Sequence, residues 1–144
     1  MNMKRFFVDT AGWMAMADSK NPRHTASLNF RDQWFENGAI IVTSNYILDE
    51  TLTLIRMRLG IEAAKKWWGQ VSESPRCNVE WITPERAEKA VHWFFRWQDQ
   101  SFSFTDCTSF ILMRELHIKD ALTGDRHFIT AGFQIHPVVV PQVM

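Results

Sequence analysis

The chain has 144 residues, 46% hydrophobic and 22% charged, a globular composition long enough to bury a core of its own. Sixteen basic and sixteen acidic residues cancel, which excludes the broad cationic field of a protein that coats nucleic acid. Any polyanion must be held by a local patch or through metal ions.

In chain order, the apolar stretch Arg5–Val8 reads as a first strand, followed by helical patterns over Ala11–Ala17 and His24–Glu36. A second strand is expected at Ala39–Thr43, then helices at Asn45–Leu59 and Ile61–Val71. A third strand at Asn78–Ile82 precedes helices at Pro84–Gln100 and Thr105–Leu116, with Pro84 after Thr83 in the order of an N-cap and first helical residue. Strands at Ala121–Thr123 and Pro137–Val140 complete the pattern. Strands alternating with helices predict an α/β fold whose mainly parallel sheet is covered on both faces, as one domain over residues 1–144. Ligand sites of such sheets lie beyond the carboxyl ends of the strands.

Four acids fall where that rule makes them informative. Asp9 ends the first strand, Asp125 follows the fourth, Asp106 opens a helix, and Glu50 lies one turn into another. Each has a purely structural explanation. Asp9 can cap the helix near Ala11, Ser103-x-x-Asp106 has the form of a capping box, and Asp125 suits a turn after Gly124. Glu50 can be a solvated helix residue, although at about 100° per residue it falls at the edge of the apolar face of Ile47, Leu48, Leu52, Leu54, Ile55 and Leu59. Asp9 resists the structural reading, because a strand buried on both faces seldom finishes in an unpartnered carboxylate. Carboxylates converging at one rim repel, and hard divalent cations such as Mg²⁺ or Mn²⁺ relieve that repulsion through oxygen ligands.

The carriers Phe7-Val8-Asp9-Thr10, Thr43-Ser44-Asn45-Tyr46-Ile47-Leu48-Asp49-Glu50-Thr51, Ser103-Phe104-Thr105-Asp106-Cys107 and Leu122-Thr123-Gly124-Asp125-Arg126-His127-Phe128 run through nearly the whole chain. Together they resemble a PIN-domain ribonuclease, and within that superfamily the VapC toxins of bacterial toxin–antitoxin pairs. The resemblance implies a three-layer α/β/α fold and a catalytic acidic cluster of Asp9, Glu50, Asp106 and Asp125 holding Mg²⁺ or Mn²⁺. It further implies cleavage of single-stranded regions of tRNA or ribosomal RNA, dimerisation, and neutralisation by a cognate antitoxin. Thr10, Ser103, Thr105 and Thr123 match positions at which a hydroxyl assists the acids. A PIN-like scaffold without catalysis and another metal-dependent phosphohydrolase are the alternatives from other classes.

Candidate RNA contacts are Arg126, Arg56, Arg58, Lys20 and Arg23, each near an acid-bearing segment, with His127 as a loop support or RNA contact. Trp13, four residues after Asp9, is placed either to stack on a base or to pack under the following helix. Seven Trp and eleven Phe are many for this length, and Trp67-Trp68 and Trp93–Trp97 serve the core, a dimer interface or an antitoxin groove. Cys77 and Cys107 form no close pair, which suits free thiols in a reducing compartment, and Cys107 reads as a small buried residue rather than a nucleophile. Asp9 interrupts the apolar start too early for a signal peptide, and the uncharged run from His127 carries Pro137 and Pro141, unlike a membrane span. A soluble cytoplasmic protein is expected.

Overall fold

The computed structural model describes residues 4–138. Five strands form one sheet: β1 (Arg5–Val8), β2 (Ile40–Ser44), β3 (Cys77–Glu80), β4 (Asp120–Leu122) and β5 (Gln134–His136). The helices are α1 (Thr10–Ala17), α2 (His24–Glu36), α3 (Asn45–Leu59), α4 (Ile61–Glu73), α5 (Pro84–Arg96), α6 (Phe104–Glu115) and α7 (His127–Thr130). Strand order is β3-β2-β1-β4-β5 and every pairing is parallel.

Alternation along β1 assigns the two faces. Phe6 packs against Phe30 and Trp34 of α2, whereas its neighbour Phe7 meets Phe128 of α7, which in turn meets Phe110 of α6. Successive side chains of a strand point to opposite faces, so the two contacts identify two helical layers around one sheet. Trp13 of α1 packs edge-on against Trp67 of α4, extending the first layer. Phe6, Phe7 and Val8 are fully buried, as a strand covered on both faces requires.

The chain moves outward from β1 through β2 to β3, then returns to the other side of β1 to lay down β4 and β5. The order therefore reverses between β1 and β4, and the crevice at a reversal is where doubly covered parallel sheets place their sites.

Three expectations need correction. The last described strand is Gln134–His136, not Pro137–Val140; Pro137 has no N–H to give a ladder, and residues 139–140 lie outside the described residues. The helix expected to reach Gln100 stops at Arg96, where Trp97 leaves helical geometry at φ −96°, ψ 65°. α7 was not anticipated, being a single turn with no periodicity to read. Other boundaries differ by one or two residues. Among the described residues no helix is long and apolar enough to cross a membrane.

Candidate active site

The crevice between β1 and β4 begins with two neighbouring strand ends. Val8 and Leu122 are paired in register, so the residues that follow them, Asp9 and Thr123, leave the sheet side by side. The Thr123 hydroxyl donates to Asp9 Oδ2 at 2.8 Å, and the Gly12 N–H donates to Asp9 Oδ1 at 2.9 Å, making Asp9 the N-cap of α1. Thr123 also accepts from the Asp125 N–H at 2.9 Å, tying the turn after β4 to the same point. Asp9 is 6% exposed. Burial pushes its carboxyl up to about 7, against the pull of those two hydrogen bonds and with help from the charges of Asp125 and Asp106.

Asp106 arrives on the first turn of α6. The Ser103 hydroxyl accepts from the Asp106 N–H at 2.9 Å, and Asp106 Oδ2 accepts from the Ser103 N–H at 3.1 Å, completing a reciprocal capping box. Burial also raises the Asp106 carboxyl above the usual carboxylate range, Asp125 adding to the shift, while the Ser103 N–H and His127 oppose it. Asp125 Oδ1 accepts from the His127 N–H at 2.9 Å, a local turn that brings the imidazole back over both acids. His127 Nδ1 lies 3.2 Å from Asp125 Oδ1 and 3.3 Å from Asp106 Oδ2. One ligand atom from each of Asp106, Asp125 and His127 lies within 4.8 Å of the others, a spacing able to hold a metal ion.

A cleft of about 380 Å³ contains the rest of the expected cluster. Asp9, Glu50, Asp106 and Asp125 all line it, although they come from four distant segments. Glu50 is exposed on α3 and, with Asp9, borders the tight group without joining it. The donor set is rich in carboxylate oxygens with one imidazole, which fits a hard divalent cation. Repulsion among acids lifted above their ordinary range gives the same indication.

The candidate hydroxyls divide by role. Thr123 and Ser103 position acids, as above; the Thr10 hydroxyl accepts from Thr51 at 3.1 Å; and Thr105 lines the cleft beside Asp106. Of the candidate RNA contacts, Arg23 and Arg58 line the cleft, whereas Arg56, Lys20 and Arg126 are exposed outside its lining. Arg23 is anchored by donating to Pro137 O at 2.7 Å and Thr123 O at 3.4 Å. Trp13 is the one candidate that the structure withdraws from base stacking: it is buried, with its indole N–H on Thr43 Oγ1 at 3.3 Å. Burial pushes the Cys107 thiol up to about 11, with Asp106 adding to it, so this residue is no thiolate nucleophile.

His127 is the group whose place among the acids sequence reasoning missed. The available signal was its position two residues after an acid that follows Thr123-Gly124, where a side-chain-to-backbone turn folds the ring back.

A doubly covered parallel sheet with carboxylates gathered at its switch point defines a class of acidic-site α/β/α domains. No family model matches the chain. Two curated relatives from Mycobacterium tuberculosis strains CDC 1551 / Oshkosh and ATCC 25618 / H37Rv, both described as 23S rRNA-specific endonuclease VapC20, are 35% identical over 127 residues. In each case 88% of this chain and 94% of the relative are covered. The crystal structure of Mycobacterium tuberculosis VapC20, described as a Sarcin-Ricin loop cleaving toxin, aligns with a TM-score of 0.79 at 34% identity. That alignment covers 89% of this chain and 95% of the solved one. The chain belongs to the VapC family of PIN-domain toxin ribonucleases.

Proposed function

We propose that this protein is a divalent-cation-dependent endoribonuclease that cuts large-subunit ribosomal RNA as the toxin of a toxin–antitoxin pair. Its reactive centre is the cleft of Asp9, Glu50, Asp106 and Asp125. The observation that carries the reading is the convergence of these four acids at the β1–β4 switch point, with His127 among them. Their oxygen-rich donor set favours Mg²⁺ or Mn²⁺. The chemistry such an ion supplies when bound is activation of water and relief of negative charge at the scissile phosphate.

The chain's own groups set the geometry. Asp9 is held by the Gly12 N–H and the Thr123 hydroxyl, and Asp106 by its capping box, so neither has to reorganise when RNA arrives. Arg23 and Arg58 stand on the cleft wall, where a guanidinium can bind a backbone phosphate. Identity of 35% to relatives described as 23S rRNA-specific supports a ribosomal target over tRNA.

Residues 1–144 serve as a single PIN domain of a cytoplasmic protein whose partner is a cognate antitoxin. Val91, Phe94 and Phe95, exposed on one face of α5, support a homodimer. Asp106→Asn should reduce ribosomal RNA cleavage by at least about a hundredfold, in line with the loss of one preorganised polar group, while leaving the melting temperature within a few degrees. Cleavage retained by this variant in a nuclease-free preparation, or cleavage by the wild type that persists in EDTA, overturns the assignment.

A further inference from the structure

A cavity of about 610 Å³ lies between α5, α6 and the turn after α7. It is larger than the catalytic cleft, and its lining contains Lys89, Arg96 and Arg114 but no Asp or Glu. Among the described residues none of these three cations has an ion-pair partner within 4 Å. Glu115, whose charge Lys89 feels, is engaged by Arg86. In a chain of zero net charge, such a hollow attracts an anion.

The cations do not stand alone. The Arg96 guanidinium lies over Trp97 at 5.6 Å from the ring centre, and that of Arg114 over Trp93 at 4.9 Å. A guanidinium laid on an indole keeps its N–H edge free for an oxyanion. Trp97 is 42% exposed, and the buried Trp93 indole N–H has no hydrogen-bond partner among the described residues. The cavity also adjoins the acidic site. Phe102 lines it and packs edge-on against the His127 ring at 5.4 Å, while the neighbouring Ser101 hydroxyl lies 3.1 Å from His127 Nε2.

We infer that this cavity is a second RNA subsite, which takes an unstacked nucleotide of the bound strand away from the scissile bond. Its phosphate is held by Arg96, Arg114 and Lys89, and its base lies on Trp97. The inference rests on the endoribonuclease reading given above. An acidic peptide matches the charge equally, but indole faces beside guanidinium edges match the base and phosphate of one nucleotide, and the cavity abuts the place where RNA is cut.

The test separates binding from cleavage. Arg96→Ala/Arg114→Ala, which alters two exposed positions, is compared with the wild type for binding fluorescein-labelled single-stranded oligoadenylate in EDTA over a salt series. Affinity should fall by about tenfold or more, and the salt slope by about 1.4 for two lost phosphate contacts on a single strand. With ribosomal RNA and Mg²⁺, KM should rise while kcat is retained. Trp97→Ala makes the same comparison if the double variant melts early. Unchanged oligoadenylate affinity and salt slope overturn the subsite. So does a variant that keeps RNA binding but loses polyaspartate binding, which reassigns the cavity to an acidic peptide. A wild type that binds oligoadenylate here but cleaves no RNA overturns the endoribonuclease reading and leaves the nucleotide subsite standing.

Discussion

Asp9 meets two opposed demands: as a helix cap it accepts two hydrogen bonds, yet it lies buried beside two other acids. Its folded carboxyl titrates at about 7, against an ordinary value of 3.8, so the folded protein binds this proton more tightly than the unfolded chain. That stabilisation is fully present below the ordinary value and is lost as pH rises through the folded one. Without metal, stability should therefore fall across this window with a slope of up to about 1.4 kcal/mol per pH unit. Asp106, also raised by burial, acts in the same direction. Asp9→Asn keeps an acceptor for Gly12 and removes the titration, so melts in EDTA should show a flatter pH profile; equal slopes for the two proteins would refute this account. The legibility of individual site residues follows from the same dual roles. Asp9 and Asp106 were readable because each occupies a capping position that sequence reveals, and Glu50 because helical angle sets it beside an apolar face. His127 was not, since its place over the acids depends on a turn closed by Asp125 and on the approach of α6 to the β4 loop.

Between elements, the approach of α1 to β4 is the contact on which the crevice depends. A Cβ on Gly12 would stand 2.0 Å from the Leu122 carbonyl oxygen, which is backbone and has no rotamer through which to yield. Alanine at a helical glycine normally gains about 1 kcal/mol, but here the overpacking term of about 1–3 kcal/mol or more dominates. Gly12→Ala should therefore destabilise the fold by about 2 kcal/mol and weaken the Asp9–Thr123 link, read as an earlier denaturation midpoint together with lower ribosomal RNA cleavage. A variant as stable as the wild type would show that this packing has slack. Elements with strong periodicity, such as α2 and α3, were legible to the residue. The failures lie where tertiary structure decides. β5 is an edge strand paired only to β4, with Gln134 exposed, so it lacks the apolar run that marks a buried strand. α5 ends inside a continuous aromatic stretch, because Trp97 turns away toward the cavity it lines.

For the whole molecule, the reversal of strand order carries the reactive centre. It makes residues more than a hundred positions apart neighbours, and the chain gathers like charges at a place where the sheet supplies little water to screen them. The folded protein is thus less stable than the same fold with those charges compensated, and the unfolded chain, with its acids dispersed, provides no comparable site. A divalent cation that binds only the folded state raises stability by RT ln(1 + [L]/Kd), about 2.7 kcal/mol at a hundredfold excess over Kd. For a chain of this length that corresponds to a rise in melting temperature of roughly 5–10 °C. Protons compete for the same carboxylates, so the Mn²⁺-induced rise should grow as pH climbs toward about 7, the value to which Asp9 is lifted, and level off above it. It should shrink in Asp9→Asn and in Asp106→Asn, and stay at wild-type size in Arg96→Ala/Arg114→Ala, whose altered residues border the other cavity. A melting temperature indifferent to saturating Mn²⁺ at neutral pH would mean that the carboxylates remain mutually repelling in the working protein, and the cation-dependent mechanism would have to be abandoned.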